Sequence, residues 1–250
     1  MAIIELLKIG AVLILGSIVQ SSSGFGFSLV SLPFLLFMGL GLPEAVMTIM
    51  VASAFQKITA VSYLWKSIDW KGHASFMAIG FLSIPLGVYS MYRISFFSKS
   101  SIEQMIGVVI FLLLLLQWWD IIKIQETVSR FWGYTAGFFS GFLDGLANIG
   151  GPPLVLWILA HRWSNEKMRA TPLAFAIVFT PMQFVFMAIA FGSRMWSPFV
   201  KASLLTPLVL VGSWIGLKIG EKFSKKHLLL YMRLLLLSVV LSAIVKPFVR

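Results

Sequence analysis

Apolar residues run along this chain in stretches of about 20, separated by short polar gaps, which is the length a helix needs to cross a hydrocarbon core. The stretches predict helices over 2–20, 27–40, 45–64, 74–92, 103–122, 131–147, 152–161, 171–191, 198–219 and 228–248. Six of these are read as full spans. The other four form two pairs: 2–20 with 27–40 around Ser21-Ser22-Ser23-Gly24-Phe25-Gly26, and 131–147 with 152–161 around Asn148-Ile149-Gly150-Gly151-Pro152-Pro153. An unbroken helix over 2–40 would be roughly 58 Å long, almost twice the thickness of the core, so the Gly and Pro clusters mark interruptions.

The interruptions occupy matching places. Ser31-Leu32-Pro33-Phe34-Leu35-Leu36-Phe37 aligns with Gly151-Pro152-Pro153-Leu154-Val155-Leu156-Trp157, and further on Pro85-Leu86-Gly87 aligns with Trp214-Ile215-Gly216 and Ser98-Lys99-Ser100 with Ser224-Lys225-Lys226. This order of features points to an internal duplication within one membrane domain, residues 1–250, with repeat 1 over about 2–122 and repeat 2 over about 131–248. The basic residues bear on its topology. If each pair made two linked spans, they would divide evenly between the two sides. If each pair is a re-entrant hairpin, most of them, including Lys66, Lys71, Arg130, Arg162, Lys167, Lys218 and Lys222, fall on one side. The second arrangement makes the repeats inverted, with both termini on the other side. The expected fold is therefore an all-α polytopic membrane protein. It has two inverted repeats, six full spans and two broken or re-entrant helix pairs, about eight transmembrane segments in all.

Composition agrees with that pattern: of 250 residues, 59% are hydrophobic and only 12% charged, against about a quarter charged in soluble domains. No length remains for a soluble catalytic head, and the absence of cysteine excludes disulfides and thiolate metal sites. The net charge of +11 sits mostly in the gaps between apolar runs, where the lipid bilayer and positive-inside topology account for it, so no nucleic-acid partner is expected. Met1-Ala2-Ile3-Ile4-Glu5 has neither a basic leader nor a small-residue cleavage site, so the first stretch is expected to stay in the mature chain.

Candidate chemistry gathers at the two interruptions. Non-helical backbone at membrane depth is tolerated only where protein or water satisfies it, so two such breaks should meet in the protein interior. A helix that starts just after a glycine-rich break aims its free N–H groups and positive dipole end at the gap, which suits an anion. The expected substrate-binding residues are Ser22, Ser23, Gly24, Phe25 and Gly26 from the first break, and Asn148, Gly150, Gly151 and Pro152 from the second. Lys57, inside a predicted span, would complement an anion or else snorkel to the interface. Asp144 is a candidate coupling carboxylate, a partner for Lys57, or simply a helix-end residue in a watery vestibule. Arg162 and Arg169 are a candidate electropositive entrance or part of a solvated loop. Gly137-Gly141-Gly145 and Gly212-Gly216-Gly220 read as helix-packing faces. With no metal-binding, nucleophile-elbow, Walker or dinucleotide motif, the chain is not expected to be an enzyme, and no cofactor or metal is implied.

Two segments carry a family resemblance. Gln20-Ser21-Ser22-Ser23-Gly24-Phe25-Gly26-Phe27-Ser28-Leu29-Val30-Ser31-Leu32-Pro33 with Pro43-Glu44-Ala45-Val46 resembles the glycine-phenylalanine signature of the sulfite exporter TauE/SafE family of membrane permeases. Gly141-Phe142-Leu143-Asp144-Gly145 and Ile149-Gly150-Gly151-Pro152-Pro153-Leu154-Val155-Leu156, with Arg169 and Thr171 downstream, resembles that family's second motif. The resemblance implies a secondary transporter in the plasma membrane for a small anion such as sulfite, a sulfonate or another organosulfur compound. Alternating access around a midplane site, with coupling to protons or to membrane potential, is the mechanism to expect. A membrane scaffold without transport, and an intramembrane enzyme, are the alternatives.

Overall fold

The computed structural model describes residues 2–118 and 128–222. Every regular element among them is helical: α1 (Ala2–Ser23), α2 (Phe27–Phe37), α3 (Leu42–Leu64), α4 (Trp70–Ile94), α5 (Lys99–Trp118), α6 (Arg130–Ala147), α7 (Gly151–Leu159), α8 (Asn165–Phe191) and α9 (Trp196–Lys222). Single 3-10 turns at Trp65–Ser67 and Gly192–Met195 lead into α4 and α9. The expected helix at 228–248, the end of 103–122 and Ser224-Lys225-Lys226 lie outside the described residues. Four stretches among the described residues are long and apolar enough to cross a membrane: Ile4–Ser23, Leu42–Ser67, Trp70–Ile94 and Asn165–Lys222, the last holding both α8 and α9.

Capping explains where helices start earlier than the apolar pattern suggests. The pattern places a helix start at 171, but Ser164 caps α8, its hydroxyl accepting from the Lys167 amide at 3.3 Å, with Glu166 in the first turn. Lys167 and Arg169 thus lie on a helix and not in a loop. Asp69 does the same for α4, accepting from the Gly72 amide at 2.9 Å.

Polar contacts at the helix ends fix the polarity of the bundle. Lys167 meets Asp69 at 3.4 Å, which puts the start of α8 beside the start of α4. Arg194 meets Glu44 at 2.7 Å, joining the far end of α8 to the start of α3. Lys99 donates to the Gly39 carbonyl at 2.9 Å, which brings the end of α2 to the start of α5. Therefore α2 leads from the interior toward the end of the bundle that carries Glu44 and Arg194. In contrast α7 leads to the opposite end, where His161 stacks against Trp163 at 4.3 Å just before α8 begins. The two short helices leave the interior in opposite directions.

Small residues bring two helix pairs into backbone contact. Along α6, Gly137, Gly141 and Gly145 face the Phe76, Gly80 and Ile84 carbonyls of α4, and Ser83 donates to the Phe138 carbonyl at 2.8 Å. Along α9, Gly212, Gly216 and Gly220 face the Ile14, Ile18 and Ser22 carbonyls of α1. Ser17 donates to the Val209 carbonyl at 2.6 Å, and the Ser21 and Ser213 hydroxyls pair at 2.9 Å. Where the helices' neighbours are as apolar as lipid tails, such close approach is what holds helices together. Between these pairs, α3 and α8 form the centre, with Ile49, Met50, Phe175 and Phe179 sealed from solvent.

Candidate functional site

Both interruptions close with left-handed backbone. In the first, Gly24 and Gly26 have φ of 91° and 103°, a region in which side chains cost about 1–2 kcal/mol, so the turn after α1 depends on these glycines. In the second, Asn148 adopts φ 55° and ends α6, its amide bonding the Asp144 carbonyl at 2.7 Å and the Ile149 amide bonding that of Leu143 at 3.1 Å. The two turns touch: a Cβ on Gly151 would fall 2.7 Å from that of Phe25.

A cavity of about 40 Å³ lies where they meet, room for about three water molecules. Gly24 to Leu29 line it from one side and Asn148 to Pro152 from the other, with Pro172, Ala176 and Phe179 of α8 as a wall. These wall residues lie roughly 10–20 Å along a helix of about 40 Å, so the cavity sits near mid-depth of α8.

The two helix starts differ in what they offer. At the start of α2 no side chain caps the helix, and Gly26, Phe27, Ser28 and Leu29, whose amides have no preceding turn to bond, all line the cavity. At the start of α7, again without a side-chain cap, Pro152 and Pro153 carry no N–H. Gly150 lies directly against the Asp144 side chain. Most free donors therefore come from α2.

Two charged side chains line the cavity among the described residues, Lys57 from α3 and Asp144 from α6, at 2% and 4% exposure. They form no direct salt bridge. Lys57 Nζ donates to the Thr180 hydroxyl at 3.1 Å, and Asp144 Oδ2 has no hydrogen-bond partner. Lys57 does not snorkel: it is enclosed beside Asp144.

Other expected site residues take structural places. The Ser22 hydroxyl donates to the Val19 carbonyl at 2.9 Å, and that of Ser23 to the Val19 and Phe25 carbonyls at 2.7 and 2.8 Å, so both shape the turn without lining the cavity. Arg162 is exposed, but Arg169 is buried and donates to the Ser21 carbonyl at 2.9 Å, closing the carbonyl end of α1. The two arginines do not form a common entrance. Lys167, between them in sequence, is held by Asp69 and over the Trp163 ring at 4.6 Å.

The sequence of the chain matches the family model "Sulfite exporter TauE/SafE" over residues 9–245, almost its whole length. The chain belongs to this family. It is 24% identical over 225 residues to the probable sulfite/organosulfonate exporter TauE of Cupriavidus necator, covering 89% of this chain and 87% of that one. No solved structure matches. As a TauE/SafE protein with apolar spans, it is a multi-pass protein of the plasma membrane, in a family described as exporters.

In this TauE/SafE chain, four groups near the cavity escaped sequence reasoning. Gln56 and Gln183 are each fully buried, and each donates at 2.6 Å to the end of a hairpin's first helix: Gln56 to the Ser21 hydroxyl, Gln183 to the Asp144 carbonyl. Ser140 donates to the Gly150 carbonyl at 2.6 Å, and Thr180 receives Lys57. A lone glutamine within an apolar span was the legible signal for two of them, Gln56 standing next to Lys57. Hydroxyls that bond backbone are indistinguishable in sequence from ordinary helix serines and threonines.

Proposed function

We propose that this chain is a secondary transporter that exports sulfite or a small organosulfonate, binding it in the cavity between the two breaks. The observation that carries this reading is the convergence of an uncapped helix start, a second break and the buried Lys57 on one cavity. A sulfite or sulfonate group presents three oxygens and negative charge. The amides at Gly26–Leu29 reach such oxygens, the dipole of α2 favours their charge, and Lys57 supplies the full positive charge that backbone lacks. Asn148 adds a side-chain amide at the other wall. Gly24, Gly150 and Gly151 let the backbone of the two breaks pack against Arg169, Ser140 and Phe25, where a Cβ would not fit, and so bring the breaks together around the site.

Movement follows from the layout. The short helices α2 and α7 leave the site toward opposite ends, and the α1–α9 and α4–α6 contacts each join the first half of the chain to the second. These pairings support two inverted repeats, about eight spans in all, rocking about a fixed midplane site to expose it alternately. The relative's name as a sulfite/organosulfonate exporter supports both the substrate class and the direction.

Proteoliposomes holding the purified chain test the reading. Labelled sulfite and methanesulfonate should equilibrate across the membrane faster than in empty vesicles, and excess unlabelled anion should compete. Absence of flux for every small oxyanion in a panel of sulfonates and carboxylates would overturn it.

A further inference from the structure

The anion site contains a carboxylate, which an anion site has no evident use for. Asp144 lines the cavity with Lys57, both buried, and its Oδ2 has no hydrogen-bond partner. Among the described residues no other charged side chain lines the cavity. From α4, the residues facing α6 around it are Gly80, Ser83, Ile84 and Gly87. From α8 it meets the neutral Gln183, and at the second break Gly150. The charged and titratable residues of α4 face elsewhere: His73 packs among Trp157, Trp163 and Phe175, and Arg93 bonds Tyr89 on an exposed face. Among the described residues, Lys57 of α3 is the charge that acts on Asp144.

With Lys57 protonated and Asp144 ionised, the empty cavity is neutral. A monovalent anion entering beside Lys57 would leave one net negative charge beside two buried side chains, where like charges repel more strongly than in bulk water. A proton on Asp144 removes that repulsion. It also turns the unpartnered Oδ2 into a donor, so the carboxyl group gains a hydrogen bond to the very anion it would otherwise repel. Building on the transport reading above, we infer that Asp144 carries one proton with each monovalent anion, which makes the chain an electroneutral proton–anion symporter. The carboxylate takes the proton from water on the loading side and returns it to water on the release side, with Lys57 charged throughout. The anion and proton gradients together then set the direction, export requiring the outward anion gradient to exceed the inward proton gradient, and membrane potential does not.

The test uses the full chain in proteoliposomes with labelled methanesulfonate, a sulfonate that stays ionised and so carries no proton itself. With membrane potential clamped to zero by potassium and valinomycin, a gradient of one pH unit should accumulate methanesulfonate about tenfold on the alkaline side, one pH unit being a tenfold ratio of proton activity. A potassium diffusion potential alone should accumulate none. An internal pH dye should report one proton entering per methanesulfonate. Exchange of labelled for unlabelled methanesulfonate at equal pH should speed up as the pH falls. In D144N, where the group is permanently neutral, that pH dependence and the pH-driven accumulation should both be lost.

Net methanesulfonate uptake by the wild-type chain without proton movement, or accumulation driven by potential and not by pH, would overturn the inference while leaving the transport reading standing. No exchange at all would overturn both. The wild-type measurements decide the matter even if D144N does not fold.

Discussion

Replacing both charges of the cavity by neutral groups of similar size, K57M with D144N, should leave the protein at least as stable as before while abolishing transport. The magnitude follows from what each side chain touches. Lys57 Nζ has one hydrogen bond, 3.1 Å to Thr180, and Thr180 keeps its own bond to the Ala176 carbonyl at 2.7 Å. Its removal therefore orphans no donor and costs about 1 kcal/mol. Asn at 144 keeps the size of the side chain against Gly150. On the other side stands the desolvation of two ions held at 2% and 4% exposure, and exchange of buried ion pairs for neutral groups is often neutral or stabilising by about 1–4 kcal/mol. The net expectation is a gain of about 0–3 kcal/mol, an unfolding temperature unchanged or higher by a few degrees. Methanesulfonate binding should meanwhile weaken about 10- to 150-fold, the worth of one charge-assisted hydrogen bond. Thermal unfolding in detergent and scintillation-proximity binding measure the two quantities on one preparation. A double variant that melts far below the wild type but binds methanesulfonate normally would refute the reasoning, since the charges would then serve the fold and not the anion.

Three further outcomes test the scaffold. G141A places a methyl group against the Gly80 carbonyl, backbone that cannot step aside, and against the Ser83 hydroxyl, and should cost about 2–3 kcal/mol, read as a lower unfolding temperature. R194A removes the exposed bridge to Glu44 and should cost under about 1 kcal/mol, a loss that shrinks further in high salt when the same unfolding is repeated. Asp69 is held below the usual carboxylate range, first by the Gly72 amide it caps and then by Lys167. Its folded-state pKa is thus lower than its unfolded one. Its contribution is present above about pH 4 and is lost as the pH falls through the lowered value. D69A should cost about 1 kcal/mol at neutral pH and progressively less in acid, seen in unfolding curves of the two proteins across pH.

Much of the bundle was legible because its signals are local. A run of about 20 apolar residues can be satisfied in a membrane only as a helix, and Gly24, Gly26 and the Asn148–Pro153 segment stop a helix wherever they stand. Both breaks were read in the right places for this reason, as were the small-residue faces of α6 and α9. The start of α8 was misplaced because Pro172 looks like a helix start, while the cap that wins, Ser164, lies in a polar stretch without apolar periodicity. Arg169 reads in the sequence as an entrance or as part of a solvated loop because a basic residue near an expected helix edge is usually solvated; here the carbonyl end of α1 arrives from far along the chain to receive it.

The sequence by itself determined that this chain lives in a membrane, where its helices break, and to which family it belongs, because hydropathy, glycine and proline act over a few residues. Only the tertiary structure decided that the two breaks share one cavity, that Lys57 and Asp144 face it together, and that Ser22, Ser23 and Arg169 serve the frame around it. Apart from the local bonds of Ser22 and Ser23, those relations join residues far apart in sequence, 148 positions for Arg169 and Ser21, and the packing of α1 on α9 and α4 on α6 creates them. A helix start becomes a site only when another element encloses it.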